Sequence, residues 1–203
     1  MNPFLVSSMV VVANVTGAGM IVPQVWRLHR VRGVDGVSAV WIGIGIALNL
    51  CWLGYALDRD LWALIPVSSL SLGLYAAMAV LYSRIVGARA LARVSAGFVG
   101  GAAAPLVAVV VDGWLLAGIV LGLAYTVQFS PAVWSVLRAP SLAGVAAATW
   151  ALAWIEAGAW LGYGLVRSDP AITLGGVGGG AMATVILVAL AVDRLPRRRL
   201  LAV

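Results

Sequence analysis

The sequence predicts an all-α membrane protein: seven transmembrane helices as two parallel three-helix bundles joined by a linker helix (3+1+3), with the N-terminus outside and the C-terminus cytoplasmic. Three observations carry this. The 203 residues are 63% hydrophobic and 10% charged, with a mean hydropathy of +1.06, outside the range of soluble domains. Residues 23–55 and 131–163 are two copies of one pattern at a constant offset of 108 without a gap. The arginines collect in alternate interhelical loops, as short cytoplasmic loops collect Lys and Arg.

Cutting the chain at its charged residues gives the helices in order: 2–26, 36–57, 61–83, 94–111, 113–137, 139–166 and 170–192, with Glu156 the one charge inside them. A helix needs roughly 20 residues to cross about 30 Å of hydrocarbon, and each stretch approaches or exceeds that length. The fourth is the shortest and is rich in Gly and Ala. The divisions that follow are a first three-helix repeat over 1–83, a loop and linker helix over 84–112, a second repeat over 113–193 and a basic tail over 194–203.

Orientation comes from the basic residues. Arg27, Arg30 and Arg32, then Arg84, Arg89 and Arg93, then Arg138, then Arg194, Arg197, Arg198 and Arg199 lie on one side, and only Arg59 and Arg167 on the other. The first group marks the cytoplasm. A shift of 108 residues spans four crossings, an even number, so the two repeats point the same way across the bilayer.

In the repeat, Pro23, Val25, Trp26 and Arg30 fall on Pro131, Val133, Trp134 and Arg138. Gly36-Val37 falls on Gly144-Val145, and Trp52-Leu53-Gly54-Tyr55 on Trp160-Leu161-Gly162-Tyr163. An ungapped self-match is one structural unit used twice, and in a membrane chain it points to a transporter. The net charge of +6 does not indicate nucleic acid, because the basic residues sit in short loops where anionic lipid headgroups are their neighbours. The apolar N-terminus lacks a basic n-region and is not read as a cleaved signal peptide. Cys51 is the single cysteine, so no intrachain disulfide forms. All thirteen basic residues are arginine, and a seven-helix chain without lysine cannot hold retinal as a Schiff base.

Val22-Pro23-Gln24-Val25-Trp26, followed by a basic loop and Gly36-Val37-Ser38, resembles the PQ-loop motif. The 3+1+3 pattern over residues 5–192 is similar to the PQ-loop superfamily, which includes SWEET sugar transporters, the lysosomal cystine transporter and KDEL receptors. The second motif, Ser130-Pro131-Ala132, keeps the proline and loses the glutamine. The resemblance implies alternating access, with Pro23, Gln24 and Pro131 as hinge and gate residues. A proline removes a backbone donor and frees a carbonyl, which makes a bend where helices can move. In the SWEET branch an asparagine in the third helix of each repeat contacts sugar. Here the third helix offers Ser68, Ser69, Ser71 and Tyr75, and the seventh a glycine run and Thr184. In the cystine branch acids near the motifs couple protons. Asp35 lies in the first loop, whereas position 143 is alanine.

Glu156 carries the strongest chemical signal, since a charge at mid-membrane costs about 2.5–3.5 kcal/mol even on insertion scales. It must be protonated, paired or in a wet cavity. Glu156, Trp160 and Tyr163 are spaced i, i+4, i+7 on one helix face, and Leu48, Trp52 and Tyr55 are their mates. With Asn49 and Gln128 they predict a central pocket: Trp52, Tyr55, Trp160 and Tyr163 as walls, and Asn49, Gln128 and Glu156 as polar points. Glu156 is the expected proton-coupling residue. For the aromatics the alternative is an interfacial belt, and for Asn49 and Gln128 it is interhelical packing.

Asn14-Val15-Thr16 fits a glycosylation sequon but lies inside a span, and His29 has no partner at ligand spacing, so no metal site is expected. No catalytic constellation and no cofactor site is read, so the chain is not read as an enzyme. The expected function is transport of a small polar solute, a sugar, an amino acid or a similar metabolite. A receptor-like or scaffold protein of the same fold is the alternative. Homo-oligomerisation stays open, and the lack of lysine with short loops points to a bacterial plasma membrane.

Overall fold

The computed structural model describes residues 3–32, 34, 37–139, 142 and 145–194; Asp35, Gly36, Ala143, Gly144 and the tail from residue 195 lie outside the described residues. Every regular element among these is helical: α1 (Pro3–Gly19), α2 (Val22–Val31), α3 (Ala39–Asp58), a 3-10 turn (Trp62–Leu64), α4 (Ile65–Val86), α5 (Arg89–Arg138), α6 (Ala147–Arg167) and α7 (Pro170–Arg194). Five stretches are long and apolar enough to cross a bilayer among the described residues: Pro3–Arg30, Ala39–Asp58, Trp62–Val86, Arg89–Arg138 and Pro170–Asp193. The chain is an α-helical, multi-pass membrane protein.

Local chemistry sets the helix boundaries. Ser38 caps α3 by accepting the Trp41 N–H at 3.2 Å. Pro66 enters the first turn of α4, where a missing N–H costs nothing. The 50 residues of α5 make two helices in succession, with a summed length of about 75 Å, more than twice the hydrocarbon thickness. α5 breaks once, at Asp112 (φ −149°, ψ 26°) and Gly113 (φ 72°, ψ −166°), a backbone conformation that only glycine reaches without strain. The break leaves an arm over 89–111 and a second arm over 114–138.

The helices close into a ring. α1 packs on α4 and α6, α4 on α3, α3 on α5, α5 on α7 and α7 on α6. The first arm of α5 lies outside that ring against α3, where a Cβ on Gly43 would strike the Val94 carbonyl and one on Gly97 the Val40 carbonyl. The Gly/Ala-rich composition of the fourth span is therefore a contact surface that lets two backbones touch.

Local structure repeats at the same 108-residue offset. Asp60 and Ser168 both adopt positive φ, 52° and 51°. The Leu61 N–H bonds the Ala56 carbonyl at 2.8 Å, and its mate, the Asp169 N–H, bonds the Gly164 carbonyl at 2.9 Å. Trp52–Tyr55 and Trp160–Tyr163 stack edge to face at 5.7 and 5.9 Å. Arg30 covers Trp26, and Arg138 covers Trp134. Even a difference is informative: Asn14 donates to the Ala63 carbonyl at 3.0 Å, and its mate Gly122 lies against the carbonyl of Ala171, the mate of Ala63.

The two prolines sit in different local structure. Helix α1 ends just before Pro23, the chain turns at Met20 and Ile21, and Pro23 sits in the first turn of α2. At Pro131 the helix runs on. The carbonyl that Pro131 cannot bond, that of Val127, accepts instead from the Ser130 hydroxyl at 2.8 Å, which relieves the need to break.

Candidate functional site

A cavity of about 570 Å³ occupies the centre of the ring. Its wall runs from Ser38, the cap of α3, and Thr149, in the first turn of α6, down to Trp52 and Trp160 in the lower halves of those helices. Ser38 and Thr149 are exposed, so this end of the cavity reaches the surface on the side of the arginine-rich loops. The other end is filled: Tyr55, Leu61, Leu121, Tyr163, Ala171 and Ile172 pack together, each almost wholly buried. There the Tyr55 hydroxyl donates to Asp169 Oδ2 at 2.7 Å, while Asp169 Oδ1 caps α7 by accepting the Ile172 N–H at 2.9 Å. One hydrogen bond thus ties the end of α3 to the start of α7.

The lining carries the repeat with it. Of the 28 lining residues among those described, 22 fall into eleven pairs 108 apart, from Gly17 and Tyr125 to Ser68 and Gly176. That range exceeds the 23–55 window in which the sequence match is visible. Within the pairs the chemistry is split: Gln24 faces the axis where its mate is Ala132, Asn49 where its mate is Ala157, Gln128 where its mate is Met20, and Glu156 where its mate is Leu48. The cavity is symmetric in position and asymmetric in polarity.

Glu156 is 5% exposed. Its Oε2 accepts from the Tyr125 hydroxyl at 3.1 Å. Its other oxygen occupies the notch left by Gly17, where a Cβ would collide with Oε1. Gly17 and Tyr125 are mates, so the two repeats deliver opposite solutions to one carboxylate: space from one and a donor from the other. Among the described residues Glu156 is the only charged group in the lining. Asn49 spends one N–H on the Gly45 carbonyl at 2.8 Å and keeps its remaining polar capacity toward the cavity.

Gln24, Asn49, Trp52, Gln128, Pro131, Glu156 and Trp160 line the cavity, as does the expected pair of tryptophans as a unit. Tyr55, Tyr163 and Pro23 do not, which corrects the expectation that both tyrosines are walls. They share a helix face with the tryptophans but sit one turn further on, where the ring has closed, and they are core residues rather than belt residues. Of the polar side chains offered by the third predicted helix, Ser68, Ser71 and Tyr75 line the cavity; the sequence reading missed Trp41, Tyr125, Phe129 and Trp150, all in the lining. The signal for Tyr125 was available in principle, since it is the mate of a glycine one turn before Gln128. Of the glycine run in α7, Gly175 and Gly176 line the cavity, Gly176 also lies against the Leu161 backbone, and Gly178 and Gly179 lie against Thr126 and Tyr125.

No cluster of three or more metal-binding side chains occurs among the described residues. No protein-family model and no curated protein matches the chain.

Proposed function

We propose that the protein is a membrane carrier that moves a small solute by alternating access between two three-helix repeats. In this reading α5 supplies two crossings, one on each side of Gly113, so that the chain crosses seven times in a 3+1+3 order. The arginine-rich loops lie in the cytoplasm. The observation that carries the proposal is the cavity itself, framed by eleven pairs of repeat mates at the centre of the ring. Two like halves around one axis can tilt about it, exposing the same side chains to one face and then to the other. The open end then faces the cytoplasm, and the Tyr55–Asp169 hydrogen bond with its packed neighbours closes the outer end.

Cysteine accessibility tests the carrier reading directly. In a Cys51→Ser background, single cysteines at Thr149 and at Leu61 are expected to label from opposite sides in proteoliposomes, and solute is expected to change the two rates in opposite directions. Labelling from one side alone, unaffected by any solute, overturns the carrier. Gly17→Ala is expected to leave the thermal midpoint within a few degrees, because the atom it meets is the end of a flexible side chain, while uptake falls at least about tenfold as the carboxylate is displaced. Equal uptake would remove Glu156 from the path.

Hinge motion is assigned to the turn at Met20–Ile21 and to Pro131. Pro23→Ala and Pro131→Ala are expected to insert normally and slow uptake, Pro23→Ala by more because α1 and α2 are already separated there. Wild-type rates in both would dismiss the hinges.

A further inference from the structure

Resting on the carrier reading, we propose that the solute is a small organic monocation without a carboxylate, such as a quaternary ammonium or a simple amine. The argument begins with Glu156. A buried carboxyl group that is to stay ionised needs a cationic partner or a dense set of donors. Among the described residues Glu156 has no ion-pair partner; its hydrogen-bonding neighbours are the neutral side chains of Tyr125, at 3.1 Å, and Trp160. Its one open side is the cavity. A cation held there supplies the counter-charge that the fold does not.

The walls suit the same ligand. Aromatic rings contribute seven of the lining residues among those described, and the mates Trp52 and Trp160 bring an indole from each repeat. Trp160 lies one helical turn beyond Glu156 on the same face, so carboxylate and ring act on one volume. The face of an aromatic ring attracts a cation, most strongly for Trp and most strongly when water is excluded. Around these, Asn49, Ser71 and Gln128 give neutral polar points for a hydroxyl or amine hydrogen.

What the lining lacks narrows the class further. No Arg, Lys or His faces the cavity among the described residues, so an amino-acid carboxylate would be buried near Glu156 with like charge and no partner. The arginines lie in the loops. A neutral sugar meets no such repulsion but leaves Glu156 without a counter-charge. At about 570 Å³ the cavity holds a choline-sized ion with water to spare.

The test uses the full chain in proteoliposomes at pH 7.5, with four labelled probes: choline, its uncharged isostere 3,3-dimethyl-1-butanol, glycine betaine and glucose. Choline is expected to be taken up and to quench tryptophan fluorescence, with the other three at least about tenfold weaker. Glu156→Gln is expected to cut choline uptake at least about tenfold. If that variant fails to fold, Trp52→Phe and Trp160→Phe, each weakening choline relative to wild type, keep the question answerable, as does competition among the probes on the unmodified chain. Uptake of glucose or betaine in preference to choline overturns the cation assignment while leaving the carrier intact. Choline uptake that survives Glu156→Gln at the wild-type rate overturns it as well. Absence of uptake of all four probes overturns the cation assignment; if the two cysteine positions still alternate, the carrier reading stands alone.

Discussion

Gly43→Leu is expected to abolish recovery of folded protein. At Gly43 the backbone of α3 rests on the backbone of α5: an added Cβ would meet the Val94 carbonyl oxygen and carbon and, at 2.6 Å, the Phe98 amide nitrogen. No flexible side chain is there to move aside, so the helices themselves must separate. Gly97 makes the reciprocal contact with Val40, and a Cβ added at Gly101 would lie 3.1 Å from Ile44 Cα, so one spacer loosens the whole crossing. Inserting a few extra carbons into a packed core costs about 1–3 kcal/mol, and a backbone contact that cannot repack lies at or above the top of that range. Within a bilayer, where close packing is the main force between helices, little else compensates. The matched controls are Gly73→Leu and Gly158→Leu, at exposed glycines with open space around the added atom. Extraction in detergent followed by thermal unfolding distinguishes them: a large loss for Gly43→Leu and near-wild-type midpoints for the controls. A normal midpoint in Gly43→Leu means that α3 and α5 do not touch as described.

The second large effect is conformational. Tyr55→Phe removes the donor to Asp169 Oδ2 and leaves a buried carboxylate oxygen short of a partner, a loss of about 1–3 kcal/mol. Since about 1.4 kcal/mol is tenfold in an equilibrium, the population with the outer end open is expected to rise roughly 5- to 150-fold. A cysteine at Leu61 should then label correspondingly faster in Tyr55→Phe, and one at Thr149 more slowly. Asp169→Asn is expected to have a milder effect, because an amide oxygen still accepts from Tyr55 or from the Ile172 N–H. Unchanged labelling in Tyr55→Phe would mean that packing alone closes that end.

Much of the site was legible because the sequence places rare residue types in apolar helices. Glu156 is the sole charge within the spans, and Asn49, Gln24 and Gln128 are among few amides, so each stood out against Leu, Val and Ala. Trp52 and Trp160 stood out by repetition. Tyr55 and Tyr163 show the limit of the same logic: spacing of i, i+3 says which face a side chain occupies and nothing about where along the axis the bundle closes. Trp41, Phe129 and Trp150 were invisible for the converse reason. An aromatic residue in a transmembrane helix is ordinary filler unless a neighbour leaves a void beside it, and the neighbour comes from another part of the chain. Gly17 is the extreme case, because its role is defined by the oxygen atom of a residue 139 positions away.

The amino-acid sequence by itself determined the membrane class, the approximate helix limits and the 108-residue offset, since hydropathy and self-similarity are properties of the chain read along its length. The tertiary structure alone decided that repeat mates face one another around a cavity, that one end of the cavity is sealed by Tyr55 and Asp169, and that Gly17 and Tyr125 converge on a single carboxylate. The physical reason is range: burial in lipid acts residue by residue, whereas a cavity is the space left when side chains from seven helices fail to meet, and that depends on all of them at once.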